Sequence, residues 1–201
     1  IKYYQVDKHI GVAHARNFGC NLTLSNIIVC ADSDDVYDKN RLLTTNECFR
    51  LNNSVDICYG NIEVINLMNN DCFVRPFQVF DPEVLKEVNY IANMTTAFKK
   101  DLFDRVGGYD ENLITSEDYD LWLRFLSEGA VFYGYDEVFA HVNRYPSSTS
   151  ANQDRQKKYI QAVKLKNGLN AVANLELVKN KCTKEIVEYF TNPGGIKLWF
   201  E

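Results

Sequence analysis

Apolar runs alternate with amphipathic stretches along the first part of the chain, in the order expected of an α/β domain. Residues 1–5 predict a strand, and residues 12 to about 24 predict a helix. The next segment, residues 26–31, is an apolar run typical of buried strands, and it stops abruptly at Asp32-Ser33-Asp34-Asp35. Ligands of open α/β sheets bind at the carboxyl ends of strands, so this acidic group lies where a site is expected.

The middle of the chain carries further signals for helices and strands. Residues 40–51 predict a helix with Leu42, Leu43 and Phe49 facing inward. Asp81-Pro82-Glu83 predicts a helix start, because Asp caps, Pro suits the first helical position and Glu complements the positive helix end. Short strands are predicted at residues 56–66, 73–80, 94–98, 131–133 and 138–142, a short helix at 100–106 and a turn at Gly107-Gly108.

The clearest helix is predicted for residues 117–128. Its apolar side chains follow the i, i+3, i+4, i+7 spacing of an inward stripe, namely Tyr119, Trp122, Leu123 and Leu126. Ser116 is available as its cap. Because Trp122 belongs to the stripe, it is assigned to the core and not to a binding surface. A second helical region is predicted at residues 153–174.

Composition narrows the class of protein. The 201 residues fit one domain, and 46% hydrophobic with 24% charged residues is typical of soluble globular proteins. A formal net charge of -5 offers no electrostatic footprint for a nucleic-acid backbone, which argues against nucleic acid as a partner.

Cysteine spacing and hydropathy bear on location. The six cysteines form no Cys-x-x-Cys pair, which argues against zinc-ribbon and thioredoxin-type sites and favours reduced thiols in a cytoplasmic setting. No run approaches the roughly 20 apolar residues of a membrane span. The basic helical region at residues 153–174 leaves a peripheral contact with an anionic membrane open, with a solvated helix face as the alternative.

Three carboxylates stand within four residues at Asp32, Asp34 and Asp35. Their mutual repulsion is relieved if a divalent cation and its diphosphate ligand lie between them. The alternative, of similar weight by composition, is a solvated turn in which Asp caps the next helix. An EF-hand loop is excluded, because Tyr37 stands where that loop requires Gly.

A second acidic group, Ser116-Glu117-Asp118-Tyr119-Asp120, opens the clearest predicted helix. The helix dipole stabilises acidic residues in a first turn, and Asp120 can pair with Arg124 four residues on, so a structural explanation covers all of them. The functional alternative is that one carboxylate on this rigid helix serves as general base for an acceptor hydroxyl.

Four sequence blocks together resemble family 2 glycosyltransferases. They are Gly11-Val12-Ala13-His14-Ala15-Arg16-Asn17, Ala31-Asp32-Ser33-Asp34-Asp35, Val106-Gly107-Gly108-Tyr109-Asp110-Glu111 and Ser116-Glu117-Asp118-Tyr119-Asp120-Leu121-Trp122-Leu123-Arg124. Each block is a weak signal by itself, whereas four in the family's order are a strong one, over about residues 2–150. The resemblance implies an α/β GT-A fold with an open mixed, mostly parallel sheet flanked by helices. It also implies an inverting transferase that uses a nucleotide-diphosphate sugar with Mg2+ or Mn2+.

The resemblance implies roles for individual residues as well. Asp118 would be the catalytic base, and Glu117 would line the acceptor side or support that base. The residues expected to bind the nucleotide sugar are Arg16, Asn17, Asp32, Asp34, Asp35 and Gly108, with Asp34 and Asp35 as metal ligands. For Arg16, a buried ion pair is an equally weighted alternative. The acceptor would be a hydroxyl of a glycan, a polysaccharide or a lipid-linked sugar.

Two departures from the family pattern matter. The family begins with a strand-helix-strand unit that contacts the base and ribose, and this chain is expected to be a fragment without it. Tyr145 stands where many members have His, which puts a third protein ligand to the metal in doubt and makes His141 or Arg144 an alternative contact for the diphosphate. Residues 1–150 are expected to form a partial catalytic domain, with residues 151–201 as a helical extension packed on it.

Other functions stay open at this stage. Sugar-phosphate nucleotidyltransferases share an α/β sheet with a metal-binding aspartate, although their Gly-rich phosphate loop does not occur in this sequence. The missing unit and Tyr145 favour a GT-A-like domain that binds a sugar or a partner without turnover. A structural α/β module with ordinary acidic turns is the third alternative, and convergence of Asp34 and Asp118 on one cleft would count against it.

Overall fold

The computed structural model describes residues 2–5, 8–66, 71–144, 152–192 and 196–201, and one sheet forms the centre of this part of the chain. Its strands are β1 (Ile27–Val29), β2 (Val36–Tyr37), β3 (Ile57–Asn66), β4 (Asp71–Val74), β5 (Ala97–Lys99) and β6 (Phe132–Arg144). They pair in the order β1-β5-β3-β6-β2, and β4 pairs with the second half of β3.

Strand direction corrects one part of the predicted fold. The sheet is mixed, as predicted, but among the described strands β3 and β6 form the one parallel pair, and the other four pairs are antiparallel. The reason is that β5 lies between β1 and β3 and runs opposite to both. Strands β1, β3 and β6 therefore share a direction without all being neighbours.

Helices flank this sheet and agree largely with the predicted periodicity. Those in the described residues are α1 (Val12–Leu22), α2 (Arg41–Leu51), α3 (Pro82–Glu87), α4 (Lys100–Arg105), α5 (Glu117–Ser127), α6 (Gln153–Lys166), α7 (Leu175–Lys181) and α8 (Lys184–Thr191), with short helical turns at Asn93–Thr95 and Ile196–Phe200. The helix start at Asp81 is confirmed, because its carboxylate accepts hydrogen bonds from the amides of Glu83 at 2.8 Å and Val84 at 3.2 Å.

Several strand predictions are corrected by the pairing pattern. Residues 2–5 are exposed and form no strand, since no described strand lies beside them. The strand predicted at residues 73–80 ends at Val74, and residues 94–98 begin with a helical turn before β5. The two strands predicted between residues 131 and 142 are one strand, β6. It pairs in parallel with β3 on both sides of a register shift near Gly60.

The buried face of α2 also differs from the prediction. Leu42 and Leu43 are exposed, and Phe49 is half-buried. The buried residues of this helix are instead Arg41, Thr45 and Cys48. Arg41 is tolerated inside because its guanidinium lies 4.5 Å from the centre of the Tyr37 ring, a cation–π contact that compensates a buried charge.

Helix α5 crosses the core and is buried on most of its surface. Its fully buried side chains are Tyr119, Asp120, Leu121, Trp122 and Phe125. Trp122 is thus confirmed as a core residue, and the predicted pair is confirmed with Arg124 Nε 2.8 Å from Asp120 Oδ2. The prediction of Ser116 as a side-chain cap is wrong, because Ser116 adopts a left-handed conformation with φ 63° and makes no capping hydrogen bond.

The C-terminal helices share the same hydrophobic core. The ring centre of Trp199 lies 5.6 Å from that of Tyr119 in α5 and 6.2 Å from that of Phe190 in α8. Lys164 is buried, and its Nζ lies 3.1 Å from Glu87 Oε2. The boundary at residue 150 between a catalytic domain and a helical extension stays a prediction.

All six cysteines carry free thiols, and four of them are buried. A search of the described residues finds no helix that is both long enough and apolar enough to cross a bilayer.

Candidate active site

Arg16 on α1 joins two parts of the chain that are far apart in sequence. Its Nη2 lies 2.9 Å from Oδ1 of Asp32, just after β1, and its Nη1 donates to Oε1 of Glu117, 101 positions away at the start of α5. The guanidinium also lies 5.7 Å from the ring centre of Tyr109. Burial lowers the pKa of Arg16, but attraction to Asp32, Tyr109 and Glu117 outweighs burial and raises it, so Arg16 stays charged.

A buried polar layer supports this guanidinium. The side-chain amide of Asn93 lies 2.8 Å from the Tyr109 hydroxyl. With its oxygen turned toward Arg16, this amide accepts from Nε at 3.3 Å and Nη2 at 3.1 Å. The Cys30 sulfur lies 3.6 Å from the same Tyr109 hydroxyl. These contacts fix the plane of the arginine between the two acidic groups.

The acidic loop, residues 32–35, follows β1 directly. The Tyr37 hydroxyl lies 2.5 Å from the amide of Asp32 and 3.0 Å from its carbonyl, which fixes the start of the loop. Asp34 is exposed and Asp35 is half-buried. Burial, together with the negative charges of Asp34 and Asp32, raises the pKa of Asp35 to about 6. The loop therefore carries more negative charge than its surroundings neutralise.

The acid pair, Glu117 and Asp118, opens α5. Asp118 Oδ1 accepts from the amide of Tyr119 at 2.7 Å, and its Oδ2 lies 3.4 Å from the amide nitrogen of Asn89. Burial and then the charge of Asp118 raise the pKa of Glu117 to about 7, although Arg16 acts in the opposite direction. Burial also raises the pKa of Asp118. A carboxyl group in this environment can exchange a proton near neutral pH.

Asn17, the residue after Arg16, binds the glycine turn and not the acidic loop. Its Oδ1 accepts from the Tyr109 amide at 2.8 Å, and its Nδ2 donates to the Tyr109 carbonyl at 2.9 Å and to Glu111 at 2.9 Å. Gly108 has φ +75°, and a Cβ there would lie 2.7 Å from Asn17 Oδ1. Asn17 and Gly108 thus shape the loop that holds Tyr109 beside Arg16.

The structure brings one group of the predicted site residues together around Arg16, whereas Asn17 and Gly108 lie at the glycine turn instead. Asp32 and the acid pair meet around Arg16, and Asp34 and Asp35 lie on the same loop as Asp32. The buried ion pair considered as an alternative for Arg16 is present. Their roles in binding a nucleotide sugar stay predictions, and Tyr145 with residues 146–150 lies outside the described part of the chain.

Curated glycosyltransferases are similar to this chain in sequence, while no family model matches it. A UDP-Gal:alpha-D-GlcNAc-diphosphoundecaprenol beta-1,3-galactosyltransferase of Escherichia coli is 28% identical over 82% of this chain and 60% of its own length. An O-antigen biosynthesis glycosyltransferase of Escherichia coli is 32% identical over 64% of this chain and 50% of its own length. The chain spans roughly half to three fifths of these curated relatives.

Solved structures show the same fold at low sequence identity. The TarS protein of S. aureus in complex with UDP-GlcNAc matches 98% of this chain and 57% of its own, with a TM-score of 0.62 and 13% identity. A mannosyltransferase from Pyrobaculum calidifontis in complex with GDP-Man and Mn2+ matches 96% of this chain and 52% of its own, with a TM-score of 0.57 and 14% identity. The chain is homologous to curated glycosyltransferases and has a GT-A-like fold.

Sequence reasoning missed three residues of the site in this glycosyltransferase homologue. Asn89 and Asn93 lie between α3 and β5, where no motif marks them, and they act through contacts that only the fold creates. Tyr109 stands inside one of the four resembling blocks, but its side chain was given no role there. Its cation–π contact with Arg16 is a tertiary feature.

The described residues of this glycosyltransferase homologue offer few ligands for a metal ion. Among the described residues, no group of three or more His, Cys, Asp or Glu side chains is arranged to hold a metal ion. His141, an alternative contact for a diphosphate, has its Nδ1 2.5 Å from Glu63 Oε2 on the neighbouring strand. A cation at the acidic loop would therefore need ligands from a bound diphosphate as well.

Proposed function

We propose that the chain is the catalytic core of an inverting glycosyltransferase that moves a sugar from a nucleotide-diphosphate donor to a hydroxyl of a lipid-linked glycan. The observation that carries the proposal is the meeting of Asp32 with Glu117 and Asp118 around Arg16. The printed names of the relatives support the substrate classes, since they include a transferase that acts on GlcNAc-diphosphoundecaprenol.

The acceptor side of the reaction rests on Asp118. Its carboxylate takes the proton from the acceptor hydroxyl while that oxygen bonds to the anomeric carbon. The bond from that carbon to the donor diphosphate breaks on the opposite face, and its electron pair leaves with the diphosphate, so the anomeric configuration inverts. Hydrogen bonds from Asn89 and the Tyr119 amide orient Asp118 for this transfer.

The donor side rests on the acidic loop. Asp34 and Asp35 would hold Mg2+ or Mn2+, and Asp32 would face the nucleotide. The donor set fits a hard cation, because all the ligands are oxygens and burial next to two like charges raises the pKa of Asp35. Such a cation, when bound together with a diphosphate, would neutralise charge on the leaving group.

A lipid-linked acceptor would bring the enzyme to the cytoplasmic surface of a membrane as a peripheral protein. Part of the basic stretch in α6 is already engaged within the fold. Lys164 pairs with Glu87 at 3.1 Å, and Lys166 pairs with Asp110 at 2.7 Å. The inferred membrane contact therefore depends on the acceptor more than on this helix.

Replacement of the base tests the proposal. Nucleotide release from a panel of nucleotide sugars is measured with Mn2+ and a lipid-linked GlcNAc acceptor, using the full-length protein. Asp118→Asn should lower turnover about 10²- to 10⁴-fold, the usual contribution of a general base, while donor binding persists. Glu128→Gln, at the exposed end of the same helix, is the control. Turnover of Asp118→Asn close to wild type would remove Asp118 as the base.

The donor side has its own test. The double replacement Asp34→Asn and Asp35→Asn should abolish the Mn2+-dependent part of nucleoside-diphosphate binding, measured by calorimetry with and without the metal. Glu47→Gln, an exposed acid on α2, should leave that binding unchanged. Equal metal dependence in the double variant and the wild type would contradict the assignment of the loop.

A further inference from the structure

We propose that Arg16 is a positioning residue that bonds to both the acid pair and the acidic loop and favours the ionised form of that pair. The inference deepens the proposed function and rests on it, since an ionised Asp118 is what a general base requires. The two sides of the site are then linked through one guanidinium. Removal of the negative charge of Asp32 would therefore change the pKa of Asp118.

The geometry gives Arg16 two separate bonds. One terminal nitrogen bonds to Asp32 and the other to Glu117, so a single planar fork spans both groups. A lysine carries the same charge and can also bond to two carboxylates, as Lys166 does with Asp110 and Asp120, but it bonds through one nitrogen and not through two nitrogens in a fixed plane. The spacing and orientation that Arg16 imposes on its two partners therefore depend on the guanidinium.

Among the described residues, Arg16 is the one cation that pairs with Asp32 or with Glu117. The groups that face the acid pair and its arginine are Asp32 from the loop after β1, Tyr109 from the glycine turn, Cys30 just after β1, and the neutral amides of Asn89 and Asn93. Asp32 raises the pKa of Asp118, and Arg16 lowers it. The balance between a single positive and three negative charges thus sets the ionisation of the pair.

Two neighbouring buried carboxyls resist ionising together, since each negative charge disfavours the other. Burial and then Asp118 raise the pKa of Glu117 to about 7, while Arg16 lowers it and so partly offsets the repulsion. Removal of Arg16 should therefore raise the pKa further, so that the pair holds a proton at neutral pH. Removal of the charge on Asp32 should have the opposite effect, because the guanidinium is then shared with the acid pair alone.

Carboxyl titration by carbon-13 NMR, without donor or acceptor, tests this inference independently of turnover. In Arg16→Gln, the titration midpoint of Glu117 should rise by about one pH unit or more, the usual effect of an opposite charge at this distance. In Asp32→Asn, the midpoint should fall. Arg16→Lys should give an intermediate rise, which keeps the test valid if Arg16→Gln fails to fold.

Arg124→Gln provides the matched control, because it removes another arginine bonded to α5 at Asp120. It should lower the thermal midpoint without moving the titration of Glu117.

In the active enzyme, the acid limb of kcat against pH should move to higher pH in Arg16→Lys. Midpoints that stay within about 0.3 pH units of wild type in both Arg16→Lys and Asp32→Asn would overturn the inference, since a charge at this distance shifts a pKa further than that. This failure would leave the Asp118→Asn test unaffected.

Discussion

Single side chains hold the loops of the site in place, and Asn17 is the clearest example. Its amide oxygen and nitrogen bond to the amide and carbonyl of Tyr109 at 2.8 and 2.9 Å, as another strand would. Tyr109 in turn faces Arg16. Asn17 thus acts on the site through the glycine turn, which has room for it only because Gly108 lacks a side chain.

Gly108→Ala should therefore destabilise the fold by about 1–3 kcal/mol, the range for a residue forced into strained backbone. A Cβ at φ +75° would lie 2.7 Å from Asn17 Oδ1, so Asn17 would have to release Tyr109. Urea unfolding measures the loss. Gly107→Ala is the control: its φ of +80° is equally strained, but nothing lies within 4 Å of the added Cβ, so it should lose the strain contribution alone and less than Gly108→Ala. Equal losses for the two variants would contradict the role of Asn17.

At the scale of elements, the start of α3 shows how a short helix is fixed between loops. Asp81 caps it through two backbone amides, and the same carboxylate lies 3.0 Å from Lys181 on α7. Burial raises the pKa of Asp81, but the hydrogen bonds from Lys181 and the backbone amides outweigh burial and lower it. The cap thus joins α3 to a helix near the end of the chain.

Asp81→Ala should cost about 1 kcal/mol, the usual value of an N-cap, whereas Asp81→Asn should lose only a few tenths because Asn also caps. A folded pKa below the ordinary 3.8 stabilises the protein above that pH, and this stabilisation disappears as the pH falls through the folded value. The gap between wild type and Asp81→Ala should therefore be largest at pH 7 and narrow below pH 3.8. Chemical denaturation at a series of pH values measures it, and a gap that widens on acidification would contradict the assignment.

At the scale of the whole molecule, we propose that residues 151–201 are a helical extension packed on the catalytic domain. Trp199 packs its ring against Tyr119 of α5 and Phe190 of α8, and its carbonyl accepts from the Ala173 amide at 2.7 Å. Because α5 begins with the acid pair, this packing holds the helix that carries Asp118.

Trp199→Ala should destabilise the protein by about 3–5 kcal/mol, the range for deletion of a large buried aromatic side chain. Thermal and urea unfolding measure the loss. Leu165→Ala, which removes an exposed side chain of α6, is the control and should stay within about 0.5 kcal/mol of wild type. A loss below about 1 kcal/mol for Trp199→Ala would show that the extension does not stabilise α5 and would contradict the proposal.

Local signals predicted much of the fold. The periodicity of α5, the cap at Asp81 and the apolar run of β1 before the acidic loop all rest on interactions within a few residues, and each is confirmed. Two of the four blocks contain Asp32 and Glu117, which both bond to Arg16, while their role in a nucleotide-sugar site stays a prediction. Such signals survive folding because the contacts that produce them are made inside one element.

Predictions failed where a distant partner decides the outcome. Leu42 and Leu43 predicted the inner face of α2, but Arg41 lies inward instead, where it contacts the Tyr37 ring and donates to the Cys30 carbonyl. Ser116 has the right residue type for a cap, yet its left-handed backbone removes the geometry that capping needs. The antiparallel position of β5 between β1 and β3 is equally invisible to periodicity, which carries no strand order.

The sequence by itself determined which carboxylates exist, in what order, and at the ends of which elements, because residue type and short spacing are local properties. Only the tertiary structure decided that Arg16 bonds to Asp32 on one side and Glu117 on the other, and that Asn89 reaches Asp118. These contacts join residues far apart in the chain. The burial that raises the pKa of Glu117 and Asp118 exists only after the elements have packed around them.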